Sequence, residues 1–423
     1  MRIKELRNKI EGDGLSAFSD IYEDRDSQRK RFLRAISEFS RLYGEDREVF
    51  LLSAPGRSEL LGNHTDHNNG CVLAAAIDKD VIAVVSGRED GIIRLCSDGY
   101  GEITVDTATV QDSAGFERYT VSSLVAGVTS GFERAGYRIG GYDAYVTSEV
   151  LRGSGLSSSA AFEVMLGNIL NHLYNGEKID NLEIAKIAKY AENEYFGKPS
   201  GLMDQCASAL GGLVFIDFES SETPRVERID FSLADIGYSL CVVNTGGSHA
   251  DLNDEYASVP REMLSVASAL SCRTLRECSE EKIIKNIGVL RNKVGDRAIL
   301  RSLHFLRENE RVLLARNAIK AERAEEFFAL VRKSGDSSFE YLQNVYNNIN
   351  IKEQGISLAL ALSDGFLGET GAYRLQGGGF AGTVEAYVPK ERCDEFSSLM
   401  DGVFGAGATM KLNIRPLGAC RLY

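Results

Sequence analysis

A chain of 423 residues is long enough for two or three domain-sized units and a substantial core. With 43% hydrophobic and 26% charged residues it has the composition of a soluble globular protein, and no run approaches the roughly 18 apolar residues of a membrane span. A net charge of −13 speaks against a nucleic-acid binder, which needs clustered cations, but not against a nucleotide site built locally from backbone N–H groups.

The opening MRIKELRNKIEGDG is charged throughout and lacks the apolar run of a secretory signal, so a cytoplasmic location is expected. Residues 1–48 read as helical and polar, with an amphipathic segment over Arg29–Tyr43. From 49 to 85, apolar stretches alternate with a dense glycine, asparagine and histidine loop. Residues 92–110 read as strands, and 120–136 as a helix stopped by Gly136. Tyr142–Val150 alternates like a strand. After a glycine-serine loop, Phe162, Leu166, Ile169, Leu170 and Leu173 fall on one helical face. Asp180 with Glu183 predicts the start of a second helix carrying Ile184, Ile187, Ala188, Ala191 and Tyr195, ended by Gly197 and Pro199.

Gly212–Phe218 and Tyr238–Thr245 read as buried strands, with a domain boundary between them near 220–235. A mainly helical stretch runs to about 363, and strands return at Tyr373–Gln376, Thr383–Val388 and Ala408–Arg415. Strands and helices interleave without a regular βαβ period, which predicts an α+β fold rather than a doubly wound sheet. The eight cysteines form no C-x-x-C pair, so buried thiols are expected rather than a zinc site or disulfide framework.

Three loops carry chemistry. The first, Pro55–Gly70, packs hydroxyl, amide, imidazole and carboxylate groups into a turn-rich segment, a combination suited to a polyhydroxylated ligand. His64 and His67 alone make a poor metal site, since no third histidine stands in a motif-like context. The second, Gly153-Ser154-Gly155-Leu156-Ser157-Ser158-Ser159-Ala160-Ala161, joins a predicted strand to a predicted helix. Its glycines let the backbone approach a phosphate, the helix start offers unpaired N–H groups, and its serines add donors or metal ligands. No Walker motif, protein-kinase H-R-D/D-F-G pair or strand-linked G-x-G-x-x-G occurs. The third, Gln376–Gly382, places three consecutive glycines between strand-like runs.

In this order and spacing the three segments resemble the galactokinase branch of the GHMP kinase superfamily, and the resemblance covers nearly the whole chain. Pro55-Gly56-Arg57 leading to His64-Thr65-Asp66 is similar to the galactokinase signature, residues 155–161 to the family's phosphate loop, and Gly377–Gly382 to its third motif, with Ala381 replacing a glycine. The resemblance implies a two-lobed α+β fold, with a ribosomal protein S5 domain 2-like lobe over 1–225, a ferredoxin-like lobe over 226–423 and an active-site cleft between them. It implies ATP-dependent phosphorylation of D-galactose at C1, or of a related sugar such as N-acetylgalactosamine or a uronic acid. A non-catalytic sugar sensor of the same family is the other reading, disfavoured by the intact phosphate loop.

By the same resemblance, Asp204 is the catalytic aspartate and Arg57 stands beside the transferred phosphate. Gly153, Ser154, Gly155, Leu156, Ser157, Ser158 and Ser159 hold ATP, and Ser159, with Ser158 as its alternative, holds Mg²⁺ together with Glu192. Asn63, His64, Asp66, Gly201 and Tyr256 contact the sugar. Galactose and ATP are the expected partners, with no nucleic acid or membrane, and a monomer is expected. Three positions depart from the family pattern: Asn63 stands in place of a glutamate, Glu59 of an asparagine and His67 of a tyrosine. Losing a carboxylate acceptor weakens a charge-assisted hydrogen bond of about 1.5–3 kcal/mol to about 1 for a neutral one. The sugar's identity is therefore less fixed by sequence than the phosphoryl chemistry.

Overall fold

The computed structural model describes residues 1–150, 155–198, 200–220, 223–247, 252–346 and 348–423. Helices α1 (Ile3–Glu11) and α2 (Arg25–Tyr43) lead into β1 (Phe50–Leu61), β2 (Cys71–Gly87), β3 (Ile92–Ser97) and β4 (Gly101–Asp106). There follow α3 (Val121–Arg134), β5 (Tyr142–Ser148), α4 (Ser158–Asn175), α5 (Asn181–Tyr190), α6 (Met203–Leu210), β6 (Leu213–Asp217) and β7 (Arg225–Ile229). The second half holds β8 (Tyr238–Asn244), α7 (Asn253–Ala269), α8 (Glu280–Lys285), α9 (Ile287–Val294), α10 (Asp296–Lys320), α11 (Ala324–Ser337) and α12 (Gly355–Leu367). It closes with β9 (Ala372–Gln376), β10 (Thr383–Pro389), α13 (Cys393–Phe404), β11 (Thr409–Leu412) and β12 (Cys420–Arg421).

The fold is α+β, with two sheets. The first runs β12-β1-β2-β5-β3-β4, and β6, itself paired with β7, joins the far end of the long β2. The second is antiparallel, β11-β8-β10-β9. Because side chains alternate along a strand, β2 feeds two cores. Val81, Ala83 and Val85 face the main core with Val164, Ile169 and Leu170 of α4, while Ile82 and Val84 face Leu6, Phe32, Ile36 and Phe39 of the N-terminal helices. No helix among the described residues is long and apolar enough to cross a membrane.

Several expectations change. The first half of the Pro55–Gly70 segment is strand rather than loop. Its pairing with β2 shifts register between Pro55 and Arg57 and again between Glu59 and Leu61. Proline lacks a ladder donor, and such bulges bend a strand and re-aim its side chains. Gly56 sits at the first shift because a Cβ there would stand 2.8 Å from the Leu156 carbonyl. Three elements carried no periodic signal. α6 is buried on nearly every side, β7 is a charged edge strand paired only with β6, and α13 lies where strands alone were expected. The chain's last residues return to the first sheet, where β12 pairs with β1 and Ile414 bridges Ile77.

Candidate active site

The bulge in β1 turns Arg57 toward the start of α6. Its Nε donates to Asp204 Oδ1 at 2.7 Å and its Nη2 to Oδ2 at 3.0 Å, a bidentate pair, while Nη1 donates to the Gly155 carbonyl. Burial would push the Asp204 carboxyl up, but Arg57 and the hydrogen bonds from Arg57 and Ser157 bring it below its ordinary value. Ser157 caps α4 in the left-handed region at φ 58°, unusual for a serine, and its hydroxyl donates to Asp204 Oδ2. The Leu156 carbonyl accepts from the Arg57 amide. With its carbonyls pinned to Arg57, the loop presents the first-turn N–H groups of α4, which have no intrahelical partner. Gly153 and Ser154 lie outside the described residues.

Ser158 and Ser159 open α4, and the Ser159 hydroxyl donates to Glu192 Oε1 at 3.0 Å. Glu192 lies in a π-helical turn, Ala191–Phe196, whose end folds back so that the amides of Gly197 and Lys198 both bond the Glu192 carbonyl. Lys198 Nζ meets Glu192 Oε1 at 2.8 Å. Burial alone would lower the Lys198 ammonium, but the Glu192 charge carries it above its usual value. Gln205 Nε2 links Glu192 Oε2 at 2.8 Å to Glu163 Oε2 at 3.1 Å. Burial, reinforced by Glu192, pushes Glu163 well above the carboxylate range.

The sugar-signature loop meets this centre through Asp66. A Cβ on Gly201 would lie 2.1 Å from Asp66 Oδ2, so that carboxylate rests against the glycine's backbone three residues before Asp204. Asp66 Oδ1 accepts from the His67 amide at 2.9 Å. His64, left-handed at φ 57°, has its Nε2 2.9 Å from the Gly378 carbonyl, and burial pushes its imidazole down to about 4. Neutral at physiological pH, with Nε2 as the donor, it presents Nδ1 as an acceptor. Tyr256 donates to the Gly379 carbonyl at 2.6 Å and stacks edge-on against Phe380. Asn63 is buried and well bonded, donating to Glu59 Oε1 (3.0 Å) and the Gly377 carbonyl (2.7 Å) and accepting from Asn344 (2.7 Å).

Beside the start of α4 opens a cavity of about 540 Å³, lined by Asp98, Tyr119, Leu124, Thr147, Phe162 and Phe196 together with Ser158 and Ser159. Its size and mixed lining suit a drug-sized heterocycle.

The chain is similar to known proteins in family model, sequence and fold. Residues 123–212 match the family model "GHMP kinases N terminal domain", and residues 37–87 the "Galactokinase galactose-binding signature". The galactokinase of Glaesserella parasuis serovar 5 is 32% identical over 85% of this chain and 89% of its own length. That of Streptomyces coelicolor is 31% identical over 87% and 92%. The chain belongs to the galactokinase family. Its fold agrees with that of Lactococcus lactis galactokinase complexed with galactose, with a TM-score of 0.78 at 24% identity over 91% of this chain and 98% of that one. A mevalonate kinase superposes with a TM-score of 0.61 at 15% identity over 87% and 99%.

In this galactokinase-family chain, two of the positions that depart from the family pattern, Glu59 and Asn63, bond each other. His67 is partly exposed, with Nε2 3.6 Å from Asp66. Sequence reasoning missed Lys198, Glu163 and the cavity, and gave no role to Gln205 or to Gln376 at the head of the third loop. Glu163 left one signal, a carboxylate four residues after Ser159 on a helix with no other acidic residue. Gln376 left none. Its amide donates to the Gly155 carbonyl at 3.0 Å, so the second sheet also holds the glycine-serine loop before α4.

Proposed function

We propose that this chain is a cytoplasmic, monomeric sugar 1-kinase that transfers the γ-phosphoryl group of ATP to galactose, giving α-D-galactose 1-phosphate and ADP. The reading rests above all on Asp204, held ionised by a bidentate arginine between a serine-lined helix start and the Asp66–Gly201 contact. The division near 225 into a phosphate- and sugar-signature half and a C-terminal half belongs to the same proposal.

ATP would lay its phosphates over residues 153–159 and its base in the cavity beside Phe162 and Tyr119. Magnesium fits the donor set. A serine hydroxyl and a carboxylate oxygen 3.0 Å apart are hard oxygen ligands, and phosphates usually complete the shell of such a site. Among the described residues no cluster of three or more His, Cys, Asp or Glu is placed to hold a metal unaided, so the phosphates are needed. When bound, the ion supplies neutralisation of β- and γ-phosphate charge.

The transition state is loose and highly charged, so the protein's task is positioning and electrostatic stabilisation. Asp66, His64, Tyr256 and the Gly201 backbone hold the sugar with O1 facing Asp204. As the bond from phosphorus to ADP breaks and the bond to O1 forms, the hydroxyl proton passes to Asp204 and later to solvent. Arg57 keeps Asp204 anionic until then and faces the transferred group.

A coupled ADP-release assay over galactose, N-acetylgalactosamine and galacturonate tests the reading. Turnover is expected with galactose, falling about 10²–10⁴-fold in Asp204→Asn, the range for losing a general base, with ATP binding retained. Full activity in Asp204→Asn sinks the mechanism. Turnover only on another sugar sinks the substrate and leaves the kinase.

A further inference from the structure

One cation at this site has no place in the mechanism above. Lys198 follows the π-helical turn, and its backbone is fixed by Gly197 at φ 89° and by the two amides bonded to the Glu192 carbonyl. Its ammonium reaches Glu192 Oε1, the same oxygen that accepts from Ser159 at the first turn of α4. Half of its side chain is open to solvent while the Glu192 side chain is almost fully buried. The lysine therefore stands on the open side of the pair. Among the described residues Glu192 is its one hydrogen-bond partner, so two of three N–H donors remain for a ligand.

Charge counting shows why this cation matters. A nucleoside triphosphate brings several negative charges to a place already holding Asp204, Glu192 and Asp66. The cations hydrogen-bonded to the first two carboxylates are Arg57 and Lys198. Arg57 spends Nε and Nη2 on Asp204 and Nη1 on the Gly155 carbonyl. An ammonium on a flexible stem can instead turn between a carboxylate and a phosphate without losing its charge.

We propose that Lys198 is a further catalytic residue, whose ammonium grips phosphate oxygens of the nucleotide beside Ser159 and Glu192. This rests on the kinase reading. The ammonium neither gives nor takes a proton during transfer. It neutralises charge on the phosphates as the bond to the leaving ADP breaks, in parallel with the divalent ion rather than through it.

The test measures nucleotide affinity apart from turnover. Binding of ADP is followed by calorimetry in EDTA and in magnesium, for the wild type, Lys198→Gln and Lys198→Arg. Galactose affinity on the same preparations confirms that each variant is folded. Metal-free ADP affinity is expected to fall about tenfold or more in Lys198→Gln, the loss of a charge-assisted hydrogen bond, and to stay within about threefold in Lys198→Arg. Galactose affinity should not move, and kcat should fall in Lys198→Gln alone. Metal-free ADP affinity unchanged in Lys198→Gln overturns the proposal, as does a wild type that binds ADP only with magnesium; either leaves the kinase reading standing. A wild type that binds no ADP under any condition removes both.

Discussion

Asp66 and Gly201 show how little room a single residue has here. The Asp66 carboxylate lies where a side chain on residue 201 would begin, 2.1 Å from an ideal Cβ. Gly201→Ala therefore forces the carboxylate off the backbone it rests on. In steady-state kinetics the sugar KM should rise at least about tenfold, as when one well-placed hydrogen bond to a charged group is lost, while the KM for ATP stays near the wild-type value. Equal changes in both would show that Asp66 does not serve the sugar side. The polar groups of this loop were legible in the sequence because their chemistry is dense and local. Their orientations were not. Asn63 read as a group available to a sugar, yet its amide is bonded to Glu59, Gly377 and Asn344, two of them more than 280 residues away in the chain. The placing of Lys198 and Glu163 was illegible for the same reason, since they gather on Glu192 and Gln205 only after a π-helical turn and a short buried helix position them.

Among the elements, α10 acts as a prop beneath the sugar loop. His304 and Glu308 are four residues apart on one face of this helix. His304 Nε2 reaches the Asn63 carbonyl at 3.0 Å, with Nδ1 on Ser337 of α11, and Glu308 accepts from the Gly62 amide at 3.0 Å and from Ser334. Burial pushes the His304 imidazole down to about 4 from an ordinary 6.5. The unfolded chain therefore takes up this proton first. The stability it contributes is fully present above about pH 6.5 and declines as pH falls toward 4, by up to about 1.4 kcal/mol per pH unit. Urea unfolding at several pH values should show the wild type losing stability relative to His304→Gln across that window. A constant gap between the two would mean that the histidine does not titrate on unfolding. The helix itself was legible as part of a long helical stretch. Its task was not, because nothing in 296–320 announces that it meets Asn63. The reverse held for β1, whose loop-like composition hid a strand bent by two register shifts.

Across the whole molecule, Asp80 draws the two chain ends onto the first sheet. Fully buried in β2, it accepts from Arg31 of α2 at 2.6 Å, from Arg415 near the C-terminus at 3.1 Å, and from Tyr22 and Ser53. The α+β pattern was legible in the sequence and the family resemblance implied two lobes, in keeping with the two sheets, but this closure was not legible, since it joins residues more than 330 positions apart. Asp80→Asn keeps the shape and removes the charge, leaving Arg31 and Arg415 without their shared counter-ion. Removing one partner of a buried pair typically costs about 3–5 kcal/mol, and urea unfolding at pH 7 should show a loss of that order. Its pH dependence has the same sign as that of His304 but falls in stronger acid. Burial would raise Asp80, yet Arg31 and Arg415 pull it below its usual value. A carboxyl lowered in the fold contributes stability that is complete above its unfolded pKa of about 3.9 and is lost as pH falls through the folded value. The gap between wild type and Asp80→Asn should accordingly be flat from pH 5 to 7 and close only in stronger acid. A gap that closes already near pH 6 would show that the two arginines do not hold this carboxylate ionised.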